Sequence, residues 1–454
     1  MTGQTRRLLY MALAAVILIC AVLVIRFVRR GGSEQESESQ TEAAPAETAV
    51  TVRVENQSGG FEIYLSDGEY VILGAEDFET YSERVENVLW LASSPEYTEI
   101  VVEDCTDMAE YGLDEPYANL TAEYDGGESL SFSIGSEVPN GSGERYFRFA
   151  DDNDVYTVSS QYGELMGFSY TDLISPVVVE GDENAGISDV RLSGKKRSTD
   201  IAIRPSGSAR YDFMIYEPLT APTNQYTGDE AANLAVNGLT AVTVLAADPD
   251  AETVASYGLD DPEYTVEYTA DGRTVKLNFS ELEDTAGMYA CMAGTGRLIY
   301  MVDVASAEWI DAPLSDLVYE YIFEADISQV DSLFCALDGE TYEFRLVHEN
   351  GKVTKAVCDG YGEIEAESFE QFFDTMTDVD WTGEMGGSAA AEAYELSFTV
   401  RYLPEAGRES DTVAYSRMSE LRYSISVNGA AYFYTDYADV NGKRLALTEL
   451  LGIK

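Results

Sequence analysis

The chain has 454 residues, 45% of them hydrophobic, which is enough for about three domains of roughly 150 residues with sizeable cores. Its 28 basic and 82 acidic residues give a formal net charge of −54 at pH 7. This charge argues against a nucleic acid partner and against lying flat on an anionic membrane, because both need clustered lysine and arginine. A self-repelling surface facing a salty exterior is the simpler interpretation, and a specific cation-binding role is the alternative.

The first element in chain order is an apolar run from Leu8 to Ile25 that contains no charge. Such a run is just long enough to cross the hydrocarbon core of a bilayer. Arg26 follows it, where a cleaved signal peptide would carry a site of small residues. We therefore expect residues 1–30 to form an uncleaved, single-pass anchor that enters the lipid bilayer through residues 8–25.

The orientation of this anchor depends on the charges around it. Arginines flank both ends of the run, so the positive-inside rule is nearly balanced. Large domains translocate largely regardless of their charge, and we expect the bulk of the chain to be extracytoplasmic at the cell membrane. Residues 31–49 contain no aromatic or branched apolar residue and are predicted to form a disordered acidic linker.

Three modules of one kind are predicted after the linker, at residues 50–180, 187–325 and 327–454. In the first, apolar residues alternate along strands and Ser66-Asp67-Gly68 marks a hairpin, while helical spacing from Phe78 to Leu89 predicts a helix. Each module is expected to hold antiparallel strands packed with one helix. The predicted fold class is therefore α+β, with an N-terminal transmembrane helix followed by tandem modules.

The second module repeats this order. Thr227 and Glu230 have the spacing of a capping box, which predicts the start of a helix that runs toward Leu239. Its strands are expected near residues 187–192, 200–204 and 211–215.

The third module is the most divergent, because it lacks the hexapeptide described below. Asp338-Gly339 and Asn350-Gly351 predict hairpin turns, and closing strands are expected at residues 394–402, 421–427 and 431–434. An apolar stripe predicts its helix and consists of Phe369, Phe372, Phe373, Met376 and Val379.

The most specific pattern is the hexapeptide Tyr-Gly-Leu-Asp-x-Pro, which recurs 146 positions later. A repeat at that spacing indicates a duplicated domain, since solenoid repeats are only roughly 20–50 residues long. The residue types favour a structural corner, because the glycine can end a helical turn and the proline lets a strand begin; a binding role is the alternative. The motif residues are Tyr111, Gly112, Leu113, Asp114, Pro116, Tyr257, Gly258, Leu259, Asp260 and Pro262.

Histidine and cysteine do not form a recognisable site. His348 is the only histidine, which excludes sites that need two histidines in one chain, and its place beside a turn predicts exposure. The cysteines beyond the anchor lack metal-type spacing and are expected to be buried apolar residues rather than disulfides or zinc ligands. They are Cys105, Cys291, Cys335 and Cys358.

Two further patterns resemble known sites in part. Asp151-Asp152-Asn153-Asp154 suggests a calcium loop but lacks the glycine and the distant glutamate, so a turn is favoured and calcium is the alternative. Ser193 and Lys196 match S-x-x-K without the companion elements of penicillin-binding enzymes. No catalytic residue, cofactor site or metal ligand is assigned, and the chain is not expected to be an enzyme.

With its N-terminal apolar segment and two hexapeptides, the chain resembles a bacterial membrane-anchored family of unknown function, DUF4340-like, built from tandem Tyr-Gly-Leu-Asp-x-Pro modules. The resemblance covers about residues 76–175 and 229–318, and more weakly 327–454. Members often accompany ABC transporters of the gliding-motility type. The resemblance therefore implies transporter subunits as partners and carries no catalytic residues.

These observations predict a non-enzymatic, membrane-anchored extracytoplasmic protein, an accessory or binding component of a cell-envelope ABC transport system. The alternative is a surface module that binds cell-wall glycan or another polymer. Glycan binding needs exposed aromatic residues on one face of each module. A transporter component needs an exposed apolar patch near the membrane-proximal end.

Overall fold

A computed structural model describes residues 48–207, 211–294, 296–389 and 393–453. The predicted anchor at residues 1–30 and nearly all of the predicted linker lie outside these ranges. Within the described ranges, no helix has the length and apolar character needed to span a membrane. The residues divide into two compact units. The first contains residues 48–73 and 83–169, and the second contains residues 74–82 and the described chain from Tyr170 onward.

The first unit holds an eight-stranded sheet, here called the first sheet. Its strands are β1 (Ala49–Asn56), β2 (Phe61–Ser66), β3 (Glu69–Ile72), β4 (Glu99–Val102), β5 (Ala118–Tyr124), β6 (Ser129–Glu137), β7 (Arg145–Phe149) and β8 (Val155–Val158). Their order is β3-β2-β1-β5-β6-β7-β8-β4, and each ladder is antiparallel. Helix α1 (Ser82–Ser93) and the short helix α2 (Ser160–Met166) accompany this sheet.

The second unit holds two nine-stranded sheets, here called the second and the third sheet in chain order. The strands in this part of the chain are β9 (Val177–Val179), β10 (Ile187–Ser193), β11 (Ile201–Pro205), β12 (Phe213–Glu217), β13 (Ala221–Pro222), β14 (Leu239–Thr240), β15 (Thr243–Ala247), β16 (Tyr264–Ala270), β17 (Arg273–Glu281), β18 (Met288–Ala293) and β19 (Leu298–Asp303). β9 and β14 pair with each other in a separate two-stranded sheet, and the other strands form the second sheet. The order is β13-β12-β11-β10-β16-β17-β18-β19-β15. Its helices are α3 (Thr227–Ala232), α4 (Leu234–Asn237), α5 (Ala251–Ser256) and α6 (Leu314–Leu317).

The third sheet completes the second unit. Its strands are β20 (Val330–Leu337), β21 (Glu340–Glu349), β22 (Lys352–Cys358), β23 (Gly362–Glu365), β24 (Gly383–Ala389), β25 (Leu396–Tyr402), β26 (Ser410–Arg417), β27 (Arg422–Val427) and β28 (Ala430–Asp436). The order is β23-β22-β21-β20-β25-β26-β27-β28-β24. Two helices, α7 (Ala366–Thr377) and α8 (Tyr437–Leu451), pack against each other and against strands of this sheet.

One topology is used in all three sheets. A first meander leads to helix, then to an edge strand, and then to a second meander whose last strand pairs with that edge strand. The first strand of each sheet also carries the same irregularity, between Ala49 and Thr51, Ile187 and Asp189, and Val330 and Ser332. The predicted α+β class with tandem modules of antiparallel strands is therefore confirmed, and the third sheet shares the topology although it lacks the hexapeptide.

The cores follow the alternation read from the sequence. In β5 the buried side chains take every second position, and in α7 they form the predicted aromatic stripe. The Phe344 ring lies 5.5 Å from Phe369 and 5.3 Å from Phe372, so the helix packs its aromatic face on the sheet. Hairpins form where predicted, because Asp67, Asp338 and Asn350 have positive φ followed by glycine.

Several local predictions are wrong. Helix α1 begins at Ser82, so Phe78 precedes it and lies in the second unit. Thr227 is the first residue of α3 and not its cap. The side-chain oxygen of Asn224 instead accepts hydrogen bonds from the backbone N–H groups of Tyr226 and Gly228, at 3.0 and 3.1 Å. The capping oxygen therefore comes from three residues upstream of the predicted one.

The third module has two helices of three or more turns, where one was predicted. The sequence pattern missed α8 because only Val440, Lys443 and Leu447 are buried along it, and a lysine in the middle of that stripe hides its apolar face. Strand β26 was also missed. It pairs with both β25 and β27 and brings Tyr415 into the core beneath α8.

Candidate functional site

The hexapeptide forms the same corner in both copies. A 3₁₀ turn at Met108–Tyr111 ends at Gly112, which has φ +67° and donates its N–H to the carbonyl of Ala109 at 3.2 Å. In the second copy, Gly258 follows α5 with φ +68° and donates to Ala255 at 2.9 Å. The left-handed glycine ends the helical turn, and the chain then enters the next strand.

The remaining motif residues pin this corner to the sheet. Leu113 and Leu259 are buried, while Tyr111 is half-buried with its ring 4.9 Å from that of Tyr146. The hydroxyl of Ser280 donates to the carbonyl of Gly258 at 2.8 Å. The glycines and leucines of the motif thus hold the backbone of this corner in place.

Each cysteine in the described ranges is a free thiol. Cys291, Cys335 and Cys358 are buried, and Cys105 is half-buried. Burial raises the pKa of all three buried thiols, so they are held as neutral thiols at neutral pH. Such groups pack as small apolar side chains.

The single histidine differs from its prediction. His348 is half-buried and not exposed, and its Nε2 lies 2.8 Å from the carbonyl oxygen of Val330. The imidazole therefore ties the end of β21 to the start of β20. This contact depends on strand register, which the single sequence could not supply.

The acidic loop at residues 151–154 forms a turn that is closed by its own side chains. The hydroxyl of Tyr156 donates to Asp152 at 2.5 Å, and this bond lowers the pKa of the Asp152 carboxyl. Asp154 accepts from the backbone N–H of Asp104 at 2.7 Å. Across the described ranges, no group of three or more His, Cys, Asp or Glu side chains has the geometry to hold a metal ion.

The Ser193-Gly194-Lys195-Lys196 segment is also a turn, between β10 and β11. Lys196 forms ion pairs with Glu263 at 2.9 Å and with Glu281 at 3.3 Å. Hydrogen bonding from Lys196 and from the backbone N–H of Glu281 holds the pKa of Glu263 below its usual range, against the opposing effect of burial. The lysine is therefore committed to surface ion pairs and does not face the serine as a general base would.

One cleft in the second unit has a volume of about 1110 Å³. It lies between β12 and the segments at residues 323–329 and 405–408. Arg408 lines it and is paired with Asp411 at 3.0 Å. The cleft is open to solvent, and both polar and apolar side chains line it.

A second candidate lies where α7 ends against α8. The ammonium of Lys443 is 2% exposed, and it donates to the carbonyl oxygens of Thr375, at 2.9 Å, and Asp378. It also pairs with Asp439 at 3.3 Å. Burial raises the pKa of the Asp378 and Asp439 carboxyls. The hydroxyl of Tyr415 is buried nearby and makes no hydrogen bond within the described residues.

This cluster has a structural role that its contacts define. The last carbonyls of a helix have no partner within the helix, and Lys443 supplies one for the end of α7. A cation at a helix C-terminus also compensates the helix dipole. The cluster therefore fixes α7 against α8 through one buried charge.

The raised carboxyl pKa values predict how stability depends on pH. Burial raises the pKa of Asp229, Asp378 and Asp439. Their folded pKa values lie above the unfolded ones, so the folded chain binds more protons as the pH falls toward the ordinary aspartate range, and its stability rises. We expect a higher melting temperature at about pH 5 than at pH 8. Below about pH 4, carboxyls with lowered pKa, such as Asp248 beside Arg297, lose their contribution.

Thermal unfolding by circular dichroism between pH 4 and pH 8 measures this dependence. Asp439→Asn should flatten the rise, because it removes one of the three groups. The exposed Asp284→Asn is the control, since it removes one negative charge without touching the buried cluster. Equal slopes in the two variants would attribute the rise to overall charge repulsion alone.

The first unit carries an exposed apolar strand edge. Strand β4 is an edge strand with the sequence Glu-Ile-Val-Val, and β8 is the one strand that pairs with it among the described residues. Ile100 and Val101 are 46% and 37% exposed. An exposed apolar edge strand is a template for pairing with another chain, and proteins normally cover or charge such edges. This strand is the candidate interaction site, and the sequence analysis did not single it out, because exposure of a strand edge depends on which distant segments cover it.

Comparisons with known proteins follow the repeated architecture. A family model described as "Domain of unknown function (DUF4340)" matches residues 72–252 and again residues 215–397. Together the two matches cover more than half of the chain. No curated protein and no solved structure matches it.

Proposed function

The chain belongs to the DUF4340 family, and from that premise we propose that it is a non-enzymatic, membrane-anchored extracytoplasmic protein that serves a cell-envelope ABC transport system as an accessory or binding component. The anchor is the apolar run at residues 8–25, which would hold the modules at high local concentration beside a membrane partner. The partners are envelope membrane proteins of the transporter.

The observation that carries this proposal is the exposed apolar edge of β4. Ile100 and Val101 stand exposed in a chain whose formal net charge is −54. They belong to the module that follows the anchor and linker most closely in sequence. Exposed apolar residues on an open strand edge support a protein partner, because burying them and pairing the backbone edge both stabilise a complex.

The distribution of exposed aromatic residues favours this function over glycan binding. A repeated sugar-binding face would present aromatic rings at equivalent positions in each module. The exposed aromatic residues instead lie in different elements, such as the middle of α1, strand β12 and the turn after β22. They are Trp90, Tyr216, Tyr226, Tyr361, Tyr394 and Tyr437.

Crosslinking in the native membrane tests the proposal. A photoreactive phenylalanine derivative replaces Glu103, an exposed residue directly after β4, and the anchored chain is recovered by affinity after illumination. Mass spectrometry should identify permease or ATPase subunits of an ABC transporter. The same probe at Leu421, which is exposed in the third sheet's β26–β27 turn, is the matched control and should not capture them.

The outcome distinguishes the two functions. Transporter subunits crosslinked at residue 103 and absent at residue 421 support the accessory-component proposal. Recovery of wall polymer with no transporter subunit at either position contradicts it and favours the glycan-binding alternative.

A further inference from the structure

Strand β4 at the edge of the first sheet is equivalent to β15 in the second sheet and β24 in the third. Comparing the three strands shows which covering segment β4 lacks among the described residues. The N–H of Thr98 donates to Thr157 at 2.7 Å, just before β4, and the N–H of Val242 donates to Met301 at 2.7 Å, just before β15. One step further, Ile100 pairs with Tyr156 and Val244 pairs with Tyr300. In both strands the pairing register shifts by one residue directly after this pair. Ile100 and Val244 therefore occupy equivalent positions.

These equivalent positions differ in burial. Val244 is 2% exposed, whereas Ile100 is 46% exposed. In the second unit, a 3₁₀ turn at Tyr170–Leu173 lies against β15. The hydroxyl of Thr243 donates to Asp172 in that turn at 2.9 Å. The following strand, β9, pairs with β14 directly before β15. A turn and a strand thus cover the edge.

The edge strand of the third sheet is covered in the same way. Helix α6 lies against β24, where Glu384 accepts a hydrogen bond from the backbone N–H of Ser315 at 3.0 Å. The chain after α6 then pairs with the residues before β24, through a bridge between Tyr321 and Asp380. Glu384 pairs with Phe433 directly before a register shift, so it occupies the position in β24 that is equivalent to Val244 in β15 and Ile100 in β4.

The two covering segments share a sequence pattern. One reads Thr171-Asp172-Leu173 and the other Ser315-Asp316-Leu317, and each continues into an extended run rich in branched and aromatic residues. In each case Leu173 or Leu317 is buried. Both segments precede the first strand of the sheet whose edge they cover. The covering element is therefore a Ser/Thr-Asp-Leu turn followed by a short strand.

No described residue supplies this element to β4. Residues 31–48, directly before β1, contain no valine, leucine, isoleucine, methionine or aromatic residue and so offer no side chain equivalent to Leu173. A Ser/Thr-Asp-Leu turn and short strand supplied by a partner protein would complete this edge.

The charges around β4 specify that molecule further. Glu99 of β4 is equivalent to Thr243 of β15, the residue whose hydroxyl donates to Asp172. Glu96, Glu103 and Asp104 are exposed close to Glu99 in sequence. A partner aspartate at this position would face Glu99 and be repelled, whereas a lysine or arginine would be attracted.

We propose that the edge formed by residues 95–102 is a docking site for a segment of a partner protein that pairs with this edge, inserts a branched apolar side chain over Ile100, and places a basic residue opposite Glu99. The segment would take the place that Tyr170–Val179 takes on the second sheet. The inference rests on the proposed function in requiring a protein partner, but it does not require that partner to be a transporter subunit.

A peptide titration tests this docking site on the full chain in detergent. The probe is a fluorescein-labelled peptide of sequence 170–179 with Asp172→Lys, and the native-sequence peptide is its comparison. Fluorescence anisotropy should show saturable binding that is tighter for the Asp172→Lys peptide at low salt. Ile100→Asp should weaken binding about tenfold or more, since it replaces the buried apolar contact. Leu421→Asp is the matched control and should leave binding unchanged.

A charge exchange makes the test specific. Glu99→Lys should reverse the preference, so that the native-sequence peptide binds more tightly than the Asp172→Lys peptide. Binding that is absent up to millimolar peptide, or unaffected by Ile100→Asp, or an unreversed preference, overturns the proposal. If the chain self-associates and Ile100→Asp abolishes this self-association, the occupant of the edge is a second copy of the chain. That result would contradict the proposal of a different partner protein.

The titration and the membrane crosslinking fail independently. Specific peptide binding without transporter subunits in the crosslinked material would retain the docking site and contradict the proposed function. If transporter subunits crosslink at residue 103 but neither Ile100→Asp nor Glu99→Lys changes peptide binding, the proposed function is supported. This mode of recognition is then contradicted.

Discussion

Lys443→Met is expected to lower the free energy of unfolding of the second unit by about 3–5 kcal/mol, the range for breaking a buried ion pair by removing one partner. The ammonium is buried and holds the Thr375 and Asp378 carbonyls at the end of α7. Without it these carbonyls and the half-buried carboxyl of Asp439 lose their partner. Methionine retains most of the side-chain volume, so the loss reports the charge and its hydrogen bonds.

Urea unfolding followed by limited proteolysis measures this change and separates the two compact units. Lys352→Met is the control, because Lys352 is exposed on β22, and we expect it to change stability by less than about 0.5 kcal/mol. The double variant Lys443→Met/Asp439→Asn should recover part of the loss, because it no longer leaves a buried carboxylate alone. A loss in Lys443→Met no larger than in Lys352→Met would show that the cluster does not stabilise the α7–α8 packing.

The second large effect is expected at the glycine of the hexapeptide. Both Gly112 and Gly258 have positive φ, so alanine at either position costs about 1–2 kcal/mol from backbone conformation. A Cβ at Gly112 would also lie 2.2 Å from the Ser136 Oγ and 2.9 Å from its backbone nitrogen. At Gly258 the nearest atom, the Ser280 Oγ, is 3.3 Å away. We expect Gly112→Ala to cost a further 1–3 kcal/mol or so through this overlap.

The same proteolysis assay compares the two variants, since Gly112 lies in the first unit and Gly258 in the second. Gly112→Ala/Ser136→Ala should recover only part of the loss, because the backbone nitrogen of residue 136 still crowds the new Cβ. Gly74→Ala controls for backbone conformation alone: its φ is +81° and no atom lies within 4 Å of its Cβ position. Equal losses in Gly112→Ala and Gly258→Ala would show that overlap with Ser136 is relieved by local movement.

Much of the fold could be predicted because its signals are local. The hairpin turns at Asp67, Asp338 and Asn350 depend on two adjacent residues that tolerate positive φ. The aromatic stripe of α7 depends on spacing within one helix. The hexapeptide contains its own turn and strand start, and its recurrence after 146 positions indicated the duplicated module.

The candidate site could not be predicted, because it is defined by a contact that is missing. Ile100 and Val244 are both branched apolar residues in similar runs, and nothing local distinguishes them. Their difference comes from the Tyr170–Leu173 turn, which covers Val244 from more than seventy residues away in sequence and has no described equivalent over Ile100. Exposure is a property of the assembled sheets, so the sequence analysis could not single out this strand.

The sequence alone determined the α+β class, the repetition of one module, the positions of most turns and the apolar run at residues 8–25, because each depends on nearest neighbours, helical or strand periodicity, or composition. The tertiary structure alone decided that Lys443 of α8 is buried, that Asn224 caps α3, that the third sheet shares the topology of the others, and that no described residue covers the edge of β4. These depend on which distant segments meet, and packing and strand register select among pairings that the local sequence leaves equivalent.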